Sequence, residues 1–503
     1  MMNSNLKNRG IKLFRGSILI TTSVVIQIVI GFFMLPFLIH NLGDKTYGLW
    51  ILVMTFIDYY VLLRLGFSTA VVRYLAKAIG EKNDNSLSKI TSTSFFIYLG
   101  VSIAMLVLTC VLISGAELFV KKPSDLKLFQ TIILILGLNT ALSPPLSVFG
   151  AILNAHMNYF VSKMANMLTL ILKNVLIFIF VSRGGGLVII AWIYLITNVL
   201  VSAFHVVYVH YKYPQIKIKL KYFDKSKFKS LFSFSFFTFI AQLADTLRFK
   251  VDTIVITTFI GLVAVTHYNI GFRLIMYFIM FFANATGIFQ TYISQEDGAG
   301  NYESIRDKFM FMTKLSSYVS VFIGLSFIFY GKYFILRWMG STYSDSYPVL
   351  LIISISTIIF LAQFPTKTVL FGISKTKFWA YSNIIEGIFN IILSLVFVKK
   401  FGISGVALGT TIPMLVMKLI VQPMYISKIL DLDLKKYYTS FFTNILKPAV
   451  ILSLFYLAVK WFLTPSYKII FVIALLQTFF FIFISYKFFF DKKEREIIKA
   501  VVK

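Results

Sequence analysis

Residues Phe239–Gly261 read FIAQLADTLRFKVDTIVITTFIG, a run apolar enough to lie in a bilayer that nevertheless carries Gln242, Asp245, Arg248, Lys250 and Asp252. At about 100° per residue, Gln242, Asp245, Arg248 and Asp252 share one helical face within an arc of roughly 120°. Lys250 points off that face. The next apolar run adds Arg273, with Asn269, Tyr277 and Asn284 on its side of the helix. A charge in hydrocarbon costs several kcal/mol unless it is paired or wetted. The stripe therefore predicts a helix that crosses a membrane and turns its polar face to a cavity.

The rest of the chain agrees. Of its 503 residues, 58% are hydrophobic and only 14% charged, with a mean hydropathy of +0.83. An ordinary soluble chain is about half apolar and has fewer places to hide such surface. Windows of about 20 apolar residues, each able to cross a core of about 30 Å, fall at 16–40, 47–66, 92–114, 128–152, 160–182 and 187–210. They recur at 230–259, 264–293, 313–336, 348–371, 378–399 and 403–427, with a final pair at 444–463 and 468–488. The expected fold is an all-α polytopic membrane protein of about fourteen transmembrane helices.

The formal charge of +29 fits Lys- and Arg-rich cytoplasmic loops better than a nucleic-acid partner, because no aromatic and basic recognition module accompanies it. Anionic lipids are the natural partners of those loops. With the N-terminus inside, the basic runs at 211–229 and 489–503 are cytoplasmic, as are 67–91, 153–159, 294–312, 372–377 and 428–443. Both termini then lie in the cytoplasm. The start of the chain reads as an uncleaved first span. Cys110 stands alone, and His40, His156, His205, His210 and His267 are scattered, so neither a disulfide within the chain nor a metal site is expected. No loop is long enough for a soluble catalytic domain and no nucleophile–base pair is evident, so the chain does not read as an enzyme.

An internal repeat organises the spans. Pro145 and Phe149-Gly150 recur as Pro365 and Phe371-Gly372, and Gly43 and Tyr47 recur as Gly261 and Tyr268. Six spans per copy is an even number, so both copies enter the membrane from one side, and two lobes related by an axis along the membrane normal are expected. The boundaries expected are a lobe over 1–210, a basic linker over 211–229, a second lobe over 230–427, and an additional helix pair with a basic tail over 428–503.

Three passages carry a family resemblance: LPFLIHNLGDKTYGLWILV entering the second span, LLRLGFSTAVVRYLAKAIGEKND at its end, and IIEGIFNIILSLVFVKKFGISGVALGTTI over Ile384–Ile412. Together they resemble the polysaccharide-transporter (Wzx-type) oligosaccharide flippases of the multidrug/oligosaccharidyl-lipid/polysaccharide exporter superfamily. The resemblance covers about 10 to 490. Members often carry an acid before the glycine of the second passage, where this chain has Arg64 before Leu65-Gly66, so no role of that acid carries over. The resemblance implies two six-helix lobes around a central cavity, alternating access, and an undecaprenyl-diphosphate-linked oligosaccharide as cargo in a bacterial plasma membrane. A polysaccharide polymerase is a further expected partner. The alternative within the superfamily is a cation-coupled multidrug antiporter; a membrane polymerase or glycosyltransferase would need a large outward loop that is missing.

That cargo needs a wet, cationic path for its diphosphate. Arg248 and Arg273 fall near mid-depth, and the planar guanidinium fork suits phosphate oxygens. Asp245, Asp252, Lys367, Asp58, Gln242 and Asn269 complete the expected cavity, with Gln27 and Asn139 as weaker candidates. Asp58, Asp245, Asp252 and Glu386 are the groups available to carry a coupling H+ or Na+; no other cofactor is expected. The competing reading makes these acids structural partners of the arginines, with Arg248 or Arg273 paired to Asp245, Asp252 or Asp58. Lys367 and Glu386 are either cavity groups or a pair. Lys418 and Arg64 are expected to snorkel toward water. Gly405 and Gly409 are expected to serve close helix packing.

Overall fold

The computed structural model describes residues 2–63, 67–81, 83–229, 250–490 and 495. Every extended regular element among them is helical: α1 (Met2–Leu42), α2 (Asp44–Leu63), α3 (Phe67–Gly80), α4 (Asp84–Ser114), α5 (Pro123–Ala155), α6 (Tyr159–Ser182) and α7 (Leu187–Lys212). There follow α8 (250–259), α9 (Leu262–Gly298), α10 (Tyr302–Trp338), α11 (Ser346–Ala362), α12 (Phe364–Gly372), α13 (Thr376–Val416), α14 (Gln422–Leu430), α15 (Leu434–Val459) and α16 (Tyr467–Ile484). Eleven described stretches are long and apolar enough to cross a membrane. One of them, Lys377–Leu430, is a hairpin that turns at Gly402. The expected crossing at 230–259 lies outside the described residues except for α8.

The surface is inverted relative to a soluble protein. Phe471, Phe479, Phe483 and Trp461 are exposed, whereas Thr91, Ser92, Thr93, Ser317, Ser354 and Ser394 are buried. Hydroxyls tolerate this because they donate back to carbonyls one turn earlier, as Thr197 does to Ile193 at 2.7 Å and Ser354 to Leu350 at 2.6 Å.

The repeat is written in the helix ends. Left-handed or capping residues occur in pairs 217 or 218 positions apart: Gly43 and Gly261, Asn83 and Asn301, Met157 and Ser374, Gly184 and Gly402, Tyr213 and Asp431. Asn83 and Asn301 cap alike, each accepting from the backbone N–H of a serine three residues on. Met157 and Ser374 sit in identical turns, in which the next residue's N–H reaches back five positions, to Leu153 and to Leu370. Near the start of the fourth crossing an acid bonds a base, Asp125 to Lys45 at 2.5 Å and Asp345 to His267 at 2.6 Å.

The chain forms two compact units, Met1–Thr266 and His267–Lys503. In the first, α5 packs against α2, α3, α4 and α7, and α6 against α1 and α7. The segment 67–91, expected as a loop, holds α3: Phe67, Ala70, Val71, Leu75 and Ala78 recur at helical spacing and are buried, while Arg73 and Lys77 face outward. The first turns of α4 are rich in Ser and Thr and hold the basic segment after α7. Ser92 donates to the Lys217 carbonyl at 3.1 Å, and Ser88, Ser92 and Thr93 accept from the N–H groups of Lys217, Lys219 and Asp224. Gly48 of α2 lies against the Leu262 carbonyl so closely that any Cβ there would collide with it.

In the second unit α10 packs on α11, α12, α15 and α16, and α11 on α13. Gly402 (φ 57, ψ −135) breaks α13, and its two arms close on each other through Gly405 against Phe397 and Gly409 against Ser394. Those two glycines serve close helix packing, as the sequence indicated. A π-helical turn, Met417–Val421, joins α13 to α14.

Candidate functional site

Charges that a bilayer would reject are resolved in two places. In the first unit Lys250 Nζ lies 2.5 Å from Asp58 Oδ2, joining α8 to α2, with the two side chains 35% and 39% exposed. Sequence periodicity had turned Lys250 away from the constellation. It does point away from Asp252, which is buried, but that other side of α8 is where α2 presents Asp58. Asp58 is therefore engaged by a lysine. Tyr59 lies within electrostatic range of both Asp58 and Asp252. Gln242, Asp245 and Arg248, like Arg64, lie outside the described residues.

In the second unit α9 carries Asn269, Arg273 and Tyr277 at four-residue spacing, and Arg273 and Tyr277 interact electrostatically. All three are half-buried. Asn284 lies on the same helix.

The deepest charges were misjudged from sequence. Lys418 does not snorkel. It is fully buried, and its Nζ lies 3.1 Å from Glu386 Oε2, a carboxylate that is itself 1% exposed. The ammonium also lies over the Trp379 ring at 4.7 Å and the Phe360 ring at 5.6 Å. Its π-helical turn continues into α14 rather than ending in water, which keeps the side chain inside the protein. Glu386 belongs to a buried stripe of α13 with Trp379, Ser382, Asn383, Asn390 and Ser394, at spacings of three and four. Ser394 donates to Asn390 at 2.8 Å. Lys367 is half-buried and lies over the rings of Phe364, Phe371 and Trp379, at 5.8, 5.6 and 5.5 Å. Glu386 thus has Lys418 as an ion-pair partner, which the sequence had not suggested.

Sequence reading also passed over Gln422, and placed Gln363 only on a shared helical face with Lys367. Gln422 is fully buried, four positions after Lys418. Gln363, at the break before Pro365, accepts from Tyr437 at 2.9 Å and ties α15 to that break. An intramembrane glutamine beside a proline was the available signal. Of the weaker candidates, Gln27 is exposed and Asn139 accepts from Asn198 at 2.7 Å. Lys173 lies 4.1 Å over the Tyr194 ring.

Similar architecture occurs in solved transporters. The lipid II flippase MurJ in an inward closed conformation matches over 95% of this chain and 98% of its own, with a TM-score of 0.68 and 18% identity. An inward-facing multidrug resistance MATE family transporter of the MOP superfamily matches over 83% and 96%, with 0.67 and 16%. A MOP superfamily transporter from Pyrococcus furiosus matches over 84% and 96%, with 0.62 and 16%. No curated protein matches in sequence. A MatE family model matches residues 238–396, and the model described as polysaccharide biosynthesis protein matches residues 13–289. The latter covers more than half of the chain, over the first repeat and into the second: this protein is a polytopic membrane protein of the polysaccharide biosynthesis protein family.

Proposed function

We propose that the chain is a flippase that carries an oligosaccharide linked to undecaprenyl diphosphate from the cytoplasmic to the outer leaflet of a bacterial plasma membrane, by alternating access, for envelope or capsular polysaccharide assembly. The observation that carries this reading is Arg273. It is a permanently charged fork held half-buried well inside an apolar helix, beside Asn269 and Tyr277. A diphosphate head needs such a cation to leave water, while its lipid tail stays in the bilayer. Family membership in polysaccharide biosynthesis supports the sugar cargo. Asp58, Asp245, Asp252 and Glu386 are the acids available for an H+ or Na+ coupling role, and two of them hold lysines, Asp58 at Lys250 and Glu386 at Lys418. Both termini are cytoplasmic, anionic lipids meet the basic loops, and a polysaccharide polymerase receives the product. The chemistry is transport, with no covalent step.

The second reading, a cation-coupled multidrug antiporter, is favoured by one observation, the MatE match over 238–396. The test is export. Arg248→Ala and Arg273→Ala should each abolish polysaccharide export at unchanged protein level; normal export in both removes the diphosphate reading. Resistance to cationic drugs that follows expression of the chain, with no effect on polysaccharide, would favour the antiporter.

A further inference from the structure

The first unit holds a polar cavity of about 370 Å³ among α3, α5, α6 and α7, which the charged constellation does not use. Its working groups are Ser143, Ser147 and Asn154 of α5, Asn166 of α6, and Asn198 and His205 of α7. Among the described residues no Asp, Glu, Lys or Arg lines it.

The prolines of α5, Pro144 and Pro145, sit between the lining residues Ser143 and Leu146. Pro145 removes the N–H that the Ala141 carbonyl would accept, and Ser102 donates to that carbonyl instead, at 2.5 Å, so the helix continues. On the other side Asn198 Nδ2 is held by Asn139 Oδ1 at 2.7 Å and Ser143 Oγ at 2.9 Å, which fixes its amide at the cavity wall. Two further groups are buried with no hydrogen-bond partner among the described residues, His205 Nε2 and Asn154 Oδ1.

The lining selects a ligand class. Among the described lining residues a phosphate or carboxylate would find no cation, and a metal ion no carboxylate or thiolate. A purely apolar ligand would leave amides and hydroxyls unpaired, at about 1–3 kcal/mol each. Hydroxyl and amide groups both donate and accept, which is what a ring bearing several hydroxyls demands. The volume lies toward the low end of the usual range of ligand sites, about 300–1,000 Å³. We infer that this cavity is a binding site for an uncharged sugar ring, separate from the cationic path. That this sugar belongs to the cargo rests on the transport reading; the binding itself does not.

The test uses the full chain in detergent, with Cys110→Ala and Asn166→Cys placing one thiol at the cavity. Labelling by a water-soluble maleimide is timed alone, with a panel of neutral hexoses, N-acetylhexosamines, deoxyhexoses and their disaccharides, and with inorganic pyrophosphate. At least one neutral sugar should slow labelling several-fold, and pyrophosphate should leave it unchanged. Asn198→Leu and, separately, Ser147→Val should each remove that protection while the thiol still labels. Equal rates with every sugar, or protection by pyrophosphate alone, overturns the assignment. Flipping of a lipid-linked oligosaccharide in vesicles is measured beside it. Protection without flipping would sink the transport reading and keep the site; flipping without protection would do the reverse.

Discussion

Lys418 meets Glu386 at 3.1 Å inside the second unit, and neither side chain is open to solvent. Two charges so placed are mutually dependent, because each offsets much of the other's desolvation. Glu386→Leu or Lys418→Met alone should destabilise the protein by about 3–5 kcal/mol, whereas the double substitution should fall much nearer to wild type. Thermal unfolding of the purified protein in detergent reads this. Additive losses in the double variant would show that the two residues do not act as a pair.

The Asp58–Lys250 pair makes the opposite prediction. Both partners are more than a third exposed, so their coupling should be small, about 0.2–1 kcal/mol. Asp58→Asn and Lys250→Gln should leave unfolding temperature nearly unchanged. If the pair lies on the transport path, export should fall in each variant, and the charge swap Asp58→Lys with Lys250→Asp should restore part of it. A swap no better than the single variants would limit the pair to holding α2 and α8 together.

At Arg273 the geometry of the charge is the issue. Arg273→Lys keeps the cation and loses the bidentate fork, so export should recover only in part relative to Arg273→Ala. Full recovery would reduce the role to charge alone.

The basic segment after α7 should respond to acid. Asp224 Oδ1 accepts from the backbone N–H of Lys227 at 3.3 Å and of Ser226 at 2.9 Å, and Lys89 Nζ lies 3.3 Å from Oδ2. The Lys227 N–H above all, with Lys89 and Ser226, holds this carboxyl below its ordinary value. A depressed value means that its stabilising effect is present above the ordinary carboxylate range and fades as pH falls through it. Hydrogen exchange at Lys217, Lys219 and Asp224 should therefore quicken in that window, and Asp224→Asn should show the faster exchange at neutral pH. Exchange in the variant that matches wild type would detach Asp224 from the docking of the segment.

Gly48 should admit no side chain. A Cβ there would strike the Leu262 carbonyl, a backbone atom that cannot rotate away. Gly48→Ala should lower the yield of folded protein, while Gly80→Ala, with open space around it, should not. Equal yields would show that α2 and the start of α9 can move apart freely.

Much of the fold was legible because apolar length, glycine and proline act locally. The break at Gly402 falls between the expected crossings 378–399 and 403–427, and the packing of Gly405 and Gly409 is as expected. Lys418 was misread because depth was judged from distance to the end of a span, and the π-helical turn carries that span on into α14 within the protein. Lys250 was misread for another reason: periodicity says which residues share a face but not what the neighbouring helix offers it. Placing Asp58 required the tertiary structure.

The two repeats keep their landmarks in step except across the third and fourth crossings. There α4 has 31 residues against 37 in α10, and α5 has 33 against 27 for Ser346–Gly372. Six residues have in effect crossed the connecting turn, about 9 Å of helix. Tyr347, at the start of α11, bonds the Ile328 carbonyl, so α10 runs on as a mast past its neighbour. The C-terminal helices rig that mast: Phe329 stacks on Tyr456 at 4.2 Å, Tyr330 donates to Gln477, and Arg337 lies 5.0 Å over the Tyr467 ring. The pair α15–α16 is therefore anchored on the long outer part of α10. Trimming the chain after Leu430 would strip the mast bare rather than return the unit to the simpler form of the first repeat.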